Sequence, residues 1–332
     1  MKTLKVPLKE AEKAKQQFKD SFDRKYTATK DEQFIYFPLL KAVKSKYAIC
    51  NKRLKNREKE TTESYWAKHL TKKELRQLKK AYDLVGTIAI IEIPAALLQK
   101  EKTIAKAMLL HRNIKTVLKK GSAHEGVFRA QKMKYLAGIK TTEALHKENK
   151  TRISVDVEKV YFSVRLAEER KRIAQLVQPG ESILVMFSGC GVYPAVLARN
   201  TNAKEIIGVE INPEGHAYGL KNIKLNRLRN VTLYCGDAKT ATPQKTFDRI
   251  IMPLPKTAET FLDVALARAK EGTAIHLYQF EKEENFAKAA ENIKSICRKQ
   301  GWTANILHIQ KVGQQSPRVY RICIDMTLTK HS

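Results

Sequence analysis

The most suggestive residues of this chain are a glycine turn and a set of acids spaced along its C-terminal half. The stretch ILVMFSGCGVYPAVLARN, residues 183–200, reads as an all-apolar strand, a Gly-x-Gly turn and a helix. Gly189 and Gly191 let backbone come close to a ligand, and the N-terminus of the helix favours a negative group. Pro194 stands where a dinucleotide fingerprint has its third glycine, and Val185 stands where an acid would end the strand. Glu210 ends the next apolar stretch and suits a carboxylate that accepts two ribose hydroxyls. Asp237, in CGDA, ends another and can meet an adenine amino group, and MPLP, Met252–Pro255, ends the one after, where the reactive end of a cofactor would lie. Singly each signal is weak, because glycine turns often serve packing and lone acids are often solvated. At successive strand ends they converge on one place.

Such convergence needs an open parallel sheet. From Glu168 onward helix and strand patterns alternate: RLAEERKRIAQLV, SILVMFS, VYPAVLARN, EIIGVEI, GHAYGLKNIKLNRL, VTLYCGDA, FDRIIMPLP, TAETFLDVALARA, TAIHLYQF, AKAAENIKSICRKQG. VYRICIDMTL is expected as an antiparallel strand at the sheet edge. The fold class is therefore α/β, a doubly wound Rossmann-like domain over 151–332. Ahead of it, 75–150 is expected to form a small α+β domain. Its strands are Thr87–Ile93 and IKTVLKK, its helix is PAALLQKEKTIAKAMLLHR, and ISVDVEKVYFS is a further strand candidate just after it. Residues 1–60 are expected to form a small module with the helix PLKEAEKAKQQFKDSF and the strand QFIYFPL, most of KSKYAICNKRLKNREKETTES being exposed, and 61–74 a charged linker.

Composition points to a polyanionic partner. Lys and Arg number 63 against 34 Asp and Glu, a formal charge of +29, which favours nucleic acid. The five cysteines, Cys50, Cys190, Cys235, Cys297 and Cys323, form no Cys-x-x-Cys pair, so no metal site is expected, and a reducing cytoplasm suits them. The opening MKTLKVPLKEAEKAK has no apolar stretch, so no signal peptide is expected, and the chain lacks a run of about 20 apolar residues that would suggest a membrane span.

The strand-end set resembles the S-adenosylmethionine (SAM) site of class I methyltransferases. With the neighbours of those strand ends, the candidate cofactor contacts are Tyr161, Met186, Ser188, Gly189, Gly191, Glu210, Ile211, Asp237, Ala238 and Pro253. From residue 82 onward the chain further resembles the archaeal and eukaryotic tRNA (guanine-37-N1)-methyltransferases, relatives of wybutosine-pathway enzymes. The matching stretches are YDLVGTIAIIEIP, HRNIKTVLKK, GVFR, LAGIKTTEALHKEN, VDVEKVYFSVRLAEER, MFSGCGVYP, VEINPEGHAYGLKNIKLN, FDRIIMPLPKTA and AIHLYQF. The resemblance implies a mostly monomeric enzyme: a first domain touching the outer corner of tRNA, a second beside the anticodon arm, and a catalytic domain that binds SAM.

Methylating N1 of guanine requires removing its proton and stabilising the charge that builds on O6. The resemblance gives these roles to Glu169, in LAEER, as the base and to Arg129, in GVFR. Glu168 stays open as an alternative base. Arg165 and Arg170 flank the same junction and are expected to position Glu169 or grip the anticodon loop, with Asn113 and Lys115 as further RNA contacts. Alternation along a strand turns one of Tyr161 and Phe162 inward, and Tyr161 is taken for the site. His111 and His276 are read as structural. Two departures from the family pattern stand out: Val185 replaces its usual Asp, and Pro253 replaces an Asn near the donor. They leave open an aminocarboxypropyl transfer to a wybutosine precursor, a methyl transfer to a tricyclic base, and a non-catalytic tRNA-binding relative.

Overall fold

The computed structural model describes residues 1–56, 60–121, 126, 128 and 131–331. It resolves into two compact units, Met1–Ser64 and Tyr65–Ser332. In the first, β1 (Lys2–Pro7), β2 (Thr29–Lys30), β3 (Phe34–Pro38) and β4 (Ala48–Asn51) form an antiparallel sheet in the order β2-β3-β1-β4. Leu4 and Val6 of β1 point inward and pack with Phe37, Leu39, Tyr47 and Ala14 of α1 (Ala11–Gln17). The expectation that most of 44–64 is exposed connector therefore needs correction at Ala48–Asn51, which pairs with Lys2–Lys5. That strand is short, and its apolar run Tyr47–Cys50 is set among lysines and arginines that masked it.

The second unit begins with helical structure. α2 (Thr62–His69) and α3 (Lys72–Gln77) occupy the stretch expected to be a charged linker. Charge there covers only the outer side: Trp66 and Leu70 are buried beneath it, and the Trp66 indole donates to the Ile104 carbonyl at 3.1 Å. Thr71 and Glu74 close a reciprocal capping box on α3. The sheet that receives these helices and α4 (Glu101–Met108) runs β5-β6-β7-β8, from Tyr82–Val85, Ile88–Ile91, Thr116–Lys120 and Met133–Gly138. The strand expected over 87–93 is present as β6, and it pairs with β5 in a hairpin turning at Gly86, whose φ of +58° and close approach to the Leu145 carbonyl both disfavour a side chain. Ala89 and Ile91 pack toward the helices, while Ile88 and Ile90 pack on the other face with Val155, Cys190, Ala195 and Tyr218. Through that second cluster the small sheet shares a core with the turn at Cys190 and the helices that carry Ala195 and Tyr218.

A hairpin of β9 (Glu143–Glu148) and β10 (Thr151–Asp156) follows, turning at Asn149 and Lys150, both at positive φ. After Asp156 the chain leaves the strand, so Tyr161 and Phe162 lie in coil. The alternation argument for choosing between them does not apply.

α5 (Ala167–Leu176) leads into the main sheet. Its strands are β11 (Ser182–Met186), β12 (Glu205–Glu210), β13 (Val231–Cys235), β14 (Phe247–Met252), β15 (Ala269–Lys282), β16 (Trp302–Ser316) and β17 (Val319–Lys330), ordered β13-β12-β11-β14-β15-β17-β16. β11 to β15 are parallel, with α6 (Val192–Asn200), α7 (Pro213–Asn226), α8 (Ala238–Ala241), α9 (Leu262–Leu266) and α10 (Phe286–Lys299) between or after them. Strand order reverses between β11 and β14, and ligands of such sheets sit at that reversal. β17 is antiparallel as expected but is not the edge; β16 lies outside it, broken by irregularities after Ile306, Lys311 and Gln314. Its mostly exposed, polar sequence hid it.

If 62–77 belongs to the core rather than to a tether, Trp66→Ala removes a large buried side chain. We expect the stability measured by urea unfolding under far-UV circular dichroism to fall by about 3–5 kcal/mol. A loss within about 0.5 kcal/mol, normal for an exposed site, would return the segment to linker status.

Candidate active site

At the carboxyl end of β11 the chain turns sharply. Phe187 takes φ +58°, rare for a bulky residue, and Gly189 and Gly191 follow at +57° and +71°. The two glycines serve different needs. Gly189 faces an open cavity. A Cβ on Gly191 would lie 3.1 Å from Gly219 Cα, so this glycine lets α6 pack against α7. Glu210, at the end of β12, closes the turn: its carboxylate accepts from Gly189 N–H at 2.6 Å and Asn212 N–H at 2.8 Å. Burial raises the Glu210 pKa above the usual carboxylate value, and those backbone donors pull it back only in part. Ser188 is buried beside it with no hydrogen-bond partner for its hydroxyl. Burial pushes the Cys190 thiol up to about 12, so the cysteine in this turn is no nucleophile.

The cavity has a volume of about 560 Å³. Of the sequence candidates, Tyr161, Ser188, Gly189, Glu210, Ile211, Asp237, Ala238 and Pro253 line it. Met186 and Gly191 do not: Met186 points into the core against Leu184 and Met252 side chains of the sheet, and Gly191 is the packing glycine just described. Asp237 caps α8 by accepting from Lys239 N–H at 2.8 Å. Residues not foreseen complete the wall, chiefly the aromatic rings of Phe128, Phe162, Phe187, Tyr193 and Phe261. A buried acid that keeps acceptor capacity, an orphaned hydroxyl, aromatic rings and a glycine without Cβ fit a nucleoside carrying a positive group.

Glu169 is not on the wall. It is buried in α5, and both of its oxygens are engaged by Arg172, Nε at 2.7 Å and Nη2 at 2.8 Å. Tyr278 Oη donates to the same carboxylate at 2.6 Å and in turn accepts from Tyr193 Oη at 2.9 Å. Tyr193 does line the cavity, so two phenols connect the cavity to Glu169. Glu168 points outward to solvent. Beyond Arg172 the chain of charges continues through Asp325, bound at 2.6 Å, to His276 at 2.6 Å, Arg249 at 2.7 Å and Glu181 at 2.7 Å. Burial holds the His276 pKa below its ordinary value, and its partners suit a neutral ring that donates from Nδ1 to Asp325 and accepts at Nε2 from Arg249. Burial works to raise the Asp325 pKa, yet the bonds from His276 and Arg172 hold it far below the usual range. His276, Asp325 and Cys323 come close enough to suggest a metal, but two guanidiniums flank them.

The other candidates scatter. Arg170 needs correction as an RNA grip: it is 1 % exposed, locked by Nε and Nη2 to Glu148 at 2.5 and 2.6 Å. It touches the cavity as a buried support for the wall. Arg165 is exposed, pairs with Asp83 at 2.7 Å and borders a second cavity. Asn113 and Lys115 are exposed before β7 and border neither cavity. Arg129 lies outside the described residues.

Sequence reasoning missed the asparagines of α7. Asn222 exchanges hydrogen bonds with Ser154 N–H at 2.7 Å and Ser154 O at 2.9 Å, and also donates to Cys190 O at 2.9 Å. Asn226 does the same with Arg152, at 2.9 and 2.7 Å. Their i,i+4 spacing in KNIKLN puts both on one helix face, which was the available signal.

A family model described as the TRM5/TYW2 methyltransferase domain matches residues 144–305, and one described as the TYW2 N-terminal domain matches 62–141. The tRNA (guanine(37)-N(1))-methyltransferase Trm5b of Pyrococcus abyssi is 35% identical over 331 residues, covering 98% of each chain. A tRNA(Phe) (4-demethylwyosine(37)-C(7)) aminocarboxypropyltransferase of Methanocaldococcus jannaschii is 30% identical over 226 residues, 68% of this chain and 87% of its own. Among solved structures, the complex of aTrm5 with tRNALeu superimposes with a TM-score of 0.75 at 28% identity, covering 98% of this chain and 99% of that one. Methanocaldococcus jannaschii Trm5 in complex with adenosine gives 0.67 at 28% identity over 100% of both. With near-complete coverage at this identity and the same domain succession, the chain belongs to the TRM5/TYW2 methyltransferase family.

Proposed function

We propose that this chain is a SAM-dependent tRNA (guanine(37)-N(1))-methyltransferase. The observation that carries the reading is the cavity at the strand-order reversal, walled by Glu210, Asp237 and aromatic rings and linked through Tyr193 and Tyr278 to a buried carboxylate. Glu210 receives the ribose hydroxyls, Asp237 the adenine amino group, and Ser188 with the Gly189 backbone the polar end of the cofactor. Bound SAM supplies an electrophilic methyl on a sulfonium.

The protein's own residues then handle the substrate proton. Both phenol hydrogen bonds run toward Glu169, so a proton entering at Tyr193 passes along Tyr278 to the carboxylate without moving heavy atoms. Arg172 and Asp325 keep Glu169 in place. Arg129 stabilises charge on O6, and Pro253, which has no N–H, presents only a carbonyl to the guanine amino group. The charge of +29 supports a long polyanion as partner. On this reading residues 1–60 contact the outer corner of tRNA, 75–150 the anticodon arm, and 151–332 carry catalysis in a monomer of the cytoplasm. No helix among the described residues is long and apolar enough to cross a membrane.

The aminocarboxypropyl reading draws on Pro253 and on the second relative. Mass spectrometry of tRNA incubated with enzyme and SAM separates the readings: one added methyl at guanosine 37 supports the first, an aminocarboxypropyl adduct the second. Absence of SAM binding in a calorimetric titration leaves a non-catalytic RNA binder. For the base, Glu169→Gln is expected to slow single-turnover methylation roughly 100-fold or more while tRNA affinity stays at the wild-type value. An unchanged rate removes Glu169 from the mechanism.

Glu210 gives a pH signature. Its raised pKa means that acidification protonates it earlier than an ordinary glutamate near 4.3, and a neutral carboxyl loses acceptor capacity. Affinity for S-adenosylhomocysteine should be level above that raised pKa and fall as pH drops through it. Glu210→Gln should bind more weakly and lose this dependence. Calorimetry carried down through the acid range in which free glutamate titrates reads both, and a wild type that stays pH-independent throughout it would unseat Glu210.

A further inference from the structure

A second cavity, of about 220 Å³, adjoins the donor cavity. Val160, Tyr161, Phe162, Ser163 and Leu166 belong to the walls of both. Its remaining wall comes from β5 to β8 on one side and from the C-terminal strands β15 to β17 on the other. Three cations border it. Arg165 already pairs with Asp83, and Lys120 pairs with Glu92 at 3.1 Å. Arg321 has no carboxylate partner among the described residues. Its Nη2 donates to Tyr161 Oη at 2.8 Å, its guanidinium lies 5.2 Å from the centre of the Phe280 ring, and its Nε is buried with no hydrogen-bond partner.

A partly buried guanidinium with an unused donor is a poor structural element by itself, because the desolvated N–H has lost water and gained nothing. It is a good seat for an anion. The anion available beside a donor cavity in an RNA-modifying enzyme is a phosphodiester. Gln314 and Gln315, exposed at the end of β16, add amide groups at the mouth.

We infer that this cavity seats the backbone phosphate of a nucleotide adjoining the target base, with Arg321 as its main ligand. Because Arg321 also holds the Tyr161 hydroxyl, the phosphate and the wall of the donor cavity are fixed by one side chain. The inference rests on the RNA substrate proposed above.

The test uses the full chain and an unmodified tRNA transcript. Arg321→Gln should weaken tRNA binding about tenfold and reduce the slope of log affinity against log salt by about one. Arg321→Lys, which keeps the charge and guards against misfolding of the first variant, should keep the salt slope. Tyr161→Phe removes the phenol and leaves the cation, so it too should keep the slope. The inference falls if Arg321→Gln binds tRNA as wild type does, or if Tyr161→Phe reproduces its full loss and altered slope, which would make Arg321 a support for Tyr161 alone. A wild-type protein that binds no RNA would overturn the RNA-substrate reading and this inference together; a wild type that binds while Arg321→Gln is unchanged overturns the inference alone.

Discussion

The carboxylate of Glu210 is the constraint around which the site is organised. It bridges the backbone N–H groups of Gly189 and Asn212, and so fixes the ends of β11 and β12 relative to each other. Neither donor has a strand partner at that point, since both lie in turns beyond the ladder. Without the carboxylate, two buried N–H groups and a positive-φ turn would be left without support. The same bridge determines the electrostatics. Glu210 is desolvated enough for its pKa to rise, yet its oxygens retain lone pairs facing the cavity. Structural clasp and cavity wall are one group, which is why the turn and the cavity are inseparable.

A second layer of order lies behind the wall. The ion-pair chain from Glu169 through Arg172, Asp325, His276 and Arg249 to Glu181 ties α5 to β14, β15 and β17. Such a chain is tolerable in the interior only when every member has partners, and here each has them, the neutral His276 ring donating to Asp325 and accepting from Arg249. The consequence for Glu169 is direct. Held by Arg172 and Tyr278, it keeps one position, and the phenol pair is its link to the cavity. The α7 asparagines act similarly on the other flank, where side-chain amides replace the strand partner that the open edge of β10 lacks.

Parts of this were legible from the residues. The parallel strands showed as apolar runs and their ends as glycine and acid, since a strand buried on both faces leaves no polar position before its end. Hence Gly189, Glu210 and Asp237 could be placed, and the α/β class with them. Four things were hidden. β16 has a solvated, bulged sequence with no apolar run, so the edge was assigned to β17. The α2–α3 stretch carries charge on its outer side and only a few buried anchors, Trp66 foremost, so it read as linker. Glu169 and Arg170 look like ordinary charges in a helix start, but both are buried, and the partners Tyr278 and Glu148 that hold them come from distant parts of the chain. Tyr161 and Phe162 were treated as strand residues, whereas coil after Asp156 lets both reach the cavities.

The two departures from the family pattern have unequal weight. Val185 is fully buried among Ile183, Ile251, Tyr278 and Cys323, within the sheet core and away from the cavity wall. Valine there removes no ligand from the donor site and completes an apolar layer. Pro253 is on the wall, so the change does reach the substrate end of the cavity. A chain that had lost its ligand would gain stability by filling the cavity and neutralising its acid, because an orphaned Ser188 hydroxyl and a desolvated Glu210 both oppose folding. Their presence makes physical sense with a bound nucleoside that supplies the missing partners. The difference at Pro253 therefore falls on the wall of the donor cavity itself, whereas Val185 lies outside it.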